Sequence, residues 1–282
     1  MSQIDSSRIG IADDQTALQS FLDAIEYRVA RCREELEKAY SLVYREYLKR
    51  GYCKESGSRL KLSIHNALPH TTSFVSTFGK EVFSTATLIP DSPLGLPMDE
   101  IYYKELESLR KSNKKICEIS MLASDTELFG SGVSMLLNSK KMFFIFNLFK
   151  LIFDYAYRHL NLDCIAITIN PKHSLTYDFL LFKDLGGLKT YHNANGAPAI
   201  AKYIEFDSLE EECRQKNKEG LYKMFLEKAT PLTHFSQKKF LDVDDLKYFF
   251  VEKTDTFKYA SPTQLAHIKQ CYPGYDISAF IV

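Results

Sequence analysis

The chain has no tryptophan, and charge of neither sign prevails: Lys plus Arg and Asp plus Glu both number 36. Zero net charge excludes a general attraction to nucleic acid or to an anionic membrane, so any charged partner must read a local patch. Long hydrophobic runs are missing too. The most apolar stretch, MFFIFNLFKLIF at 142–153, is too short to cross a bilayer and carries Asn147 and Lys150, so a buried core helix is expected there. The opening MSQIDSSRIG lacks a basic segment followed by an apolar run, and no secretory signal is expected. Cysteine is sparse and unpaired in spacing: Cys32, Cys53, Cys117, Cys164, Cys213 and Cys271 are scattered, and Cys117 and Cys164 fall inside apolar strand patterns. Reduced thiols and a cytoplasmic location are expected rather than disulfides or a zinc site. The histidines show no ligand spacing, so no metal site is expected, and no Gly-x-Ser-x-Gly elbow supports a serine hydrolase. Internal repeats and low-complexity segments are absent.

What is present is enough apolar material, 45% of 282 residues, to bury a full core. Residues 1–24 are polar and weakly patterned and read as an N-terminal arm. A strand is expected at 26–31 and a helix at 33–50, where Leu36, Tyr40, Val43 and Tyr47 follow the helical period until Gly51 stops it. Residues 53–70 read as an irregular covering loop. TTSFVSTF and EVFSTATLIPD flank Gly79-Lys80 as an antiparallel hairpin. Asp99 is expected to cap a helix to about Arg110, with Arg110 and Lys111 suiting the dipole at its end. A strand at 116–122, a helix at about 142–160, a strand at 163–169, a helix at 174–185 closed by Gly186-Gly187, and strands near 188–192 and 198–206 follow. This order predicts an α/β (α+β) domain over 25–206, a mixed central sheet flanked by helices. Residues 207–282 read as a helical extension, with helices at 208–228, 242–252 and 262–271. The last of these opens on the capping box of Ser261-Pro262-Thr263-Gln264.

The most informative stretch is 163–187. An alternating strand (Ile165, Ile167, Ile169) runs into Asn170-Pro171-Lys172-His173, and the next helix presents Tyr177 near its start, aimed where a strand-edge ligand would sit. Upstream, ICEISMLASD at 116–125 sets a carboxylate in an apolar strand. By alternation Ile116, Glu118, Ser120 and Leu122 share one face, and Cys117, Ile119 and Met121 the other. Burial there raises the Glu118 pKa toward the range useful to a general base; the alternative is a buried Glu paired with a nearby Arg or Lys.

This order of elements, with the Asn170-Pro171 strand end and the Tyr177 helix, resembles the GNAT N-acyltransferase superfamily. More narrowly, the run from LPHTTSFVSTF through GLPMDEIYYKEL to ICEISMLASD at 68–125, and NPKHSLTYDFLLFKDLGGLKTYHNANGAPAIAKY at 170–203, resemble long-chain N-acyl amino acid synthases of the FeeM type. The likeness covers about 26–206, and acyl-homoserine lactone synthases are similar more distantly. It implies transfer of a medium- or long-chain acyl group from acyl carrier protein to the α-amine of an amino acid, with Glu118 as base and Tyr177 as the acid that protonates the leaving thiolate. It also implies an oxyanion met by backbone N–H groups near Ser120, Met121 and Leu122.

One departure bears on the donor. Coenzyme A enzymes of the superfamily usually carry an Arg/Gln-x-x-Gly-x-Gly/Ala loop whose N–H groups bind pyrophosphate. Here DTELFGSGVSMLL has Gly130-Ser131-Gly132 without the spaced Arg or Gln, so a phosphopantetheine arm on acyl carrier protein is expected in place of free acyl-CoA, and no tightly bound cofactor. Among further candidates, Asn170 and His173 adjoin the site, Arg59 in the covering loop would take the acceptor carboxylate, and Phe144, with Phe143, Phe146, Phe149, Phe179 and Phe182, would line an acyl channel. Arg110, Lys111, Lys114 and Lys115 form a candidate patch for an acidic carrier. Nucleic acid is not expected as a partner, and peripheral membrane contact stays open. Two other readings remain: a GNAT-fold module that binds acyl groups or their carrier without turnover, and an acetyl-CoA-dependent N-acetyltransferase.

Overall fold

The computed structural model describes residues 22–125, 141–277 and 280, with side chains from Phe144 onward in the second stretch. Most of the expected N-terminal arm, the Gly130-Gly132 loop and the Phe143 side chain lie outside the described residues. Among the described residues seven strands form one sheet: β1 (Ile25–Val29), β2 (Thr72–Phe78), β3 (Glu81–Pro90), β4 (Ile116–Ser124), β5 (Cys164–Ile169), β6 (Lys183–Tyr191) and β7 (Ala197–Glu205). Their spatial order is β1-β2-β3-β4-β5-β7-β6. Every neighbouring pair is antiparallel except β4 with β5, which makes the sheet mixed.

Alternation along the strands divides the core between the two faces. Leu88, Cys117, Ile119, Ile165, Ile167 and Ile169 point to the side covered by α3 (Lys141–Asp154), which continues as a wider π-turn through Tyr155–His159. Ile89, Ile116, Cys164 and Ala166 point the other way, under α2 (Asp99–Lys111), and Val75 and Val82 lie on that face under α1 (Arg33–Lys49). The expected stop of α1 is found: Arg50 closes the helix and Gly51 takes φ +72°, a left-handed conformation in which glycine has no Cβ penalty.

The remaining helices are α4 (Ser174–Phe179), α5 (Phe206–Gln215), α6 (Glu219–Tyr222, extended by a π-turn at Lys223–Glu227), α7 (Val243–Lys247, likewise extended through Tyr248–Glu252) and α8 (Pro262–Cys271). From Phe206 onward the chain serves both faces of the sheet. Phe206, Leu209, Phe225 and Leu226 enter the core under α3, whereas Leu246, Phe249, Phe250, Leu265 and Ile268 pack with α1. The Ser261 hydroxyl accepts from the Gln264 N–H at 3.2 Å with Pro262 in the first turn, as the capping box predicts.

Three local expectations are corrected. The helix expected over 174–185 ends at Phe179; Leu180, Leu181 and Phe182 are all buried, Leu181 reverses the backbone at φ +68°, and β6 has begun by Lys183. Gly186 therefore stops no helix: it lies in β6, where a Cβ would come within 2.5 Å of the Tyr102 ring. Asp99 is the first residue of α2, not its cap. Its carboxylate accepts from the Leu96 N–H at 2.7 Å and pairs with Arg110 at 2.6 Å.

Candidate active site

β4 and β5 pair from Ile116 opposite Cys164 to Ile119 opposite Ile167 and no further, although β4 continues to Ser124 and β5 to Ile169. The cause lies on the other edge of β4. Thr87 opposes Ser120 and Thr85 opposes Ala123, so three steps on β4 face two on β3, and Met121 absorbs the extra residue at φ +55°. This bulge bends β4 away from β5 and reverses the faces beyond it. Met121 and Ala123 join the core under α1, while Leu122 packs toward α3, the opposite of simple alternation. A cavity of about 620 Å³ opens in the gap, bordered by Ser120, Met121 and Leu122 on β4 and by Thr168, Ile169 and Asn170 at the end of β5.

Glu118 lies on the last paired stretch of β4, opposite Ile89 and Ala166, and lines this cavity at 2% exposure. Its Oε2 accepts from the Met98 N–H at 2.8 Å, at the entrance to α2. Among the described residues no cation lies within ion-pair distance of it, so the brace by Arg or Lys is not found. Burial pushes the Glu118 carboxyl up to about 8; the Met98 hydrogen bond opposes this and the neighbouring Asp99 charge adds to it. Such a carboxyl exchanges a proton close to neutral pH.

Tyr177 on α4 borders the same cavity, its ring edge-on to Phe149 at 6.1 Å and to Phe182 at 5.5 Å. Burial pushes its phenol upward, so it remains a neutral hydrogen-bond donor at neutral pH. Asn170 and His173 also border the cavity; the Asn170 side chain accepts from the Lys172 N–H at 3.2 Å and thereby holds the turn between β5 and α4. The structure thus brings Glu118, Ser120, Met121, Leu122, Asn170, His173 and Tyr177 to one cavity.

Arg59 and Phe144 are not brought there. Arg59 is exposed in its loop at φ +52° and does not line the cavity. Phe144 is fully buried against Phe83, with ring centroids 5.5 Å apart and Ile25 alongside. The helical period explains it: Ile145 and Phe149, four residues apart on α3, face the cavity, and Phe144 is turned about 100° from that line. Phe179 is exposed and Phe182 lies in the core. Three members of the basic patch have carboxylate partners within the protein, while Lys115 is exposed. Arg110 pairs with Asp91 and Asp99, Lys111 with Glu107, and Lys114 with Glu205 and Asp207.

Sequence reasoning missed the aromatic surround of Glu118. Tyr47 reads as one more core position of α1, and Tyr191 as the end of a strand. Both line the cavity, and both phenols are raised chiefly by burial and further by the charge of Glu118. Lys61 was missed as well, because nothing in an irregular stretch signals which side chain turns inward. The cavity therefore has an apolar wall of Leu122, Ile145, Phe149, Ile167 and Leu180 and a polar wall around Glu118.

The family model for the N-acyl amino acid synthase FeeM matches residues 38–204, more than half of the chain. The solved structure of FeeM, an N-acyl amino acid synthase from uncultured soil microbes, is 28% identical with a TM-score of 0.57, over 68% of this chain and 96% of that one. Two acyl-homoserine lactone synthases are distantly similar: BjaI, described as CoA-dependent and solved with SAM and isopentyl-CoA, and LasI. BjaI is 12% identical at a TM-score of 0.49, over 80% of this chain and 97% of its own. LasI is 10% identical at 0.45, over 73% and 95%. No curated protein matches by sequence. The protein is an N-acyltransferase with a GNAT-like fold, and it belongs to the FeeM family of N-acyl amino acid synthases.

Proposed function

We propose that the protein transfers a medium- or long-chain acyl group from the phosphopantetheine arm of acyl carrier protein to the α-amine of an amino acid. The observation that carries the reading is Glu118: a buried carboxyl with no cation beside it among the described residues, at the cavity where two parallel strands part, with a neutral phenol, Tyr177, on the same cavity.

The acceptor arrives as an ammonium ion and loses one proton to solvent or to Glu118 before it can attack. Nitrogen then adds to the thioester carbon, and the carbonyl oxygen becomes an oxyanion. Backbone N–H groups at the Met121 bulge are suited to meet it, because the strand there has left its partner β5. As the intermediate collapses, the C–S bond breaks, the C–N bond remains, the nitrogen gives its second proton to Glu118, and the thiolate takes a proton from Tyr177. Glu118 passes each proton it takes to solvent before accepting another, and Tyr177 recovers its proton from solvent, so an amide, a free thiol and one released proton are the net products. The apolar wall suits an alkyl chain, each buried methylene contributing about 0.8 kcal/mol. Carrier protein is favoured over free CoA as donor because DTELFGSGVSMLL lacks the spaced Arg or Gln of a pyrophosphate loop.

The test is incubation of the purified protein with acyl-carrier thioesters and acyl-CoAs of graded chain length and a panel of amino acids, read by mass spectrometry. Acyl amino acid masses with the carrier thioesters are expected. Product from acyl-CoA alone would overturn the donor, and a retained lipid with no product from any pairing would overturn the transfer.

A further inference from the structure

An α-amino acid carries its anion on the carbon that bears its nucleophile. If Glu118 handles the amine, as the acyl-transfer reading has it, a site for the carboxylate must stand beside it. Among the described residues two cations other than histidine border the cavity, Arg50 and Lys61. Arg50 is committed: its Nη1 lies 2.6 Å from both the carbonyl oxygen and the carboxylate of Glu46. Lys61 differs. Among the described residues no carboxylate lies within 4.0 Å of its Nζ, which donates only to the Asn193 carbonyl at 3.2 Å.

The chain around Lys61 turns it inward. Leu60 is buried and Leu62 half-buried in the core with α1, and the Lys61 N–H donates to the Tyr40 carbonyl of α1 at 3.1 Å. The backbone is thereby fastened and the side chain between the two leucines borders the cavity. Burial lowers the Lys61 pKa, and the more distant charges of Cys53 and Glu100 partly oppose it. The Tyr52 hydroxyl is buried at the same cavity with no partner among the described residues, and Tyr52 adjoins Cys53, whose thiol feels the Lys61 charge.

Short segments tie this group to Glu118. Asn193, which holds Lys61, follows Tyr191 by two residues, and Tyr191 donates to the Pro97 carbonyl at 3.2 Å. The next residue, Met98, holds Glu118. Tyr191 also senses the Glu118 charge. Lysine and carboxyl therefore border the same cavity and are tied through Asn193, Tyr191 and Pro97.

We infer that Lys61, assisted by the Tyr52 hydroxyl, is the binding site for the α-carboxylate of the acceptor and the residue by which the cavity tells an amino acid from its amide. The bond is a charge-assisted one from ammonium to carboxylate.

The experiment compares an amino acid with its α-carboxamide at saturating acyl-carrier thioester, in the wild type, Lys61→Met and Lys61→Arg. The wild type is expected to prefer the acid, and Lys61→Met to raise the KM of the acid about 10- to 100-fold while the rate at saturating acceptor and the KM of the thioester hold. Acid and amide then become equivalent substrates, and Lys61→Arg restores part of the preference. A preference for the acid that survives Lys61→Met would overturn the inference. So would a rise in the KM of the thioester, which would assign the lysine to the phosphate of the donor arm. Calorimetry of acid and amide binding to the same proteins separates this from the transfer itself. Without turnover in the wild type, acid-selective binding lost in Lys61→Met upholds the carboxylate site while the transfer fails, and no selectivity refutes the site.

Discussion

Glu118 and Asp245 are both buried carboxylates, at 2% and 0% exposure, and they are furnished in opposite ways. Asp245 on α7 receives Arg33 of α1 at 2.5 Å and Lys239 at 2.6 Å, and it exchanges hydrogen bonds with Asp242 in a capping box. Glu118 receives one backbone N–H and no cation among the described residues. The first carboxylate is fully compensated and fastens the C-terminal helices to α1. The second is held beside a cavity with its proton affinity raised. Burial alone therefore identifies neither a structural nor a chemical carboxylate; the partners do.

Removing the charge at Glu118 tests its half of the contrast most severely. Glu118→Gln keeps the shape and can still accept from Met98, so it should fold and lose about 10²- to 10⁴-fold in kcat/KM. A variant that keeps wild-type turnover would make Glu118 no more of a base than Asp245. In the wild type, kcat/KM should rise with pH through about 8, where the carboxyl loses its proton, and this rise should vanish in Glu118→Gln.

The same substitution should alter stability in a direction set by linkage. The Glu118 pKa goes from the ordinary 4.5 to about 8 on folding, so between these values the folded state holds a proton that the unfolded state has released. The contribution is complete below about 4.5, falls as pH rises, and is exhausted above about 8. At about 1.4 kcal/mol per pH unit, the wild type is expected to lose up to about 4–5 kcal/mol over that window on account of this residue. Glu118→Gln should flatten that part of the profile and be the more stable protein at pH 9. Urea unfolding of both proteins across pH measures it, and parallel profiles would mean that the carboxyl is ionised in the fold.

Asp245 should respond in the reverse sense. Asp245→Asn leaves Arg33 and Lys239 facing a neutral group and should cost about 3–5 kcal/mol of stability, with kcat of the folded fraction intact. Loss of turnover without loss of stability would erase the distinction between the two carboxylates.

Much of the fold was legible because strands and helices announce themselves by period. Ile165, Ile167 and Ile169 do share a face, and Leu36, Tyr40 and Val43 do bury one side of α1. Glu118 and Tyr177 were legible as candidates because a carboxylate inside an apolar strand and a tyrosine after a strand end are local patterns. What was not legible depends on contacts made across the chain. The bulge at Met121 shows no glycine to mark its positive φ, and it reversed the facing of Met121 and Leu122. Gly186 looked like a helix stop, whereas its reason is the ring of Tyr102, brought against it from α2. Arg59 was a candidate by charge chemistry alone, but Leu60 and Leu62 decide that the neighbouring Lys61 turns inward, and their destination is tertiary.

The smallest effect probes how much compensation Asp245 needs. Lys239 and Arg33 both reach Asp245 and both lie within 4.0 Å of Asp242, Lys239 as a flexible ammonium and Arg33 as a guanidinium at 2.5 Å from Asp245. Lys239→Gln should therefore cost about 1–2 kcal/mol, well short of Asp245→Asn, because the buried carboxylate keeps one strong partner. Measured with Arg33→Gln and the double variant, the two losses should sum to less than the loss of both, since only the double variant strands the charge. At that point Asp245, among the described residues, is furnished as Glu118 is, by backbone N–H alone. Additive losses would mean that something other than these two cations separates the two sites.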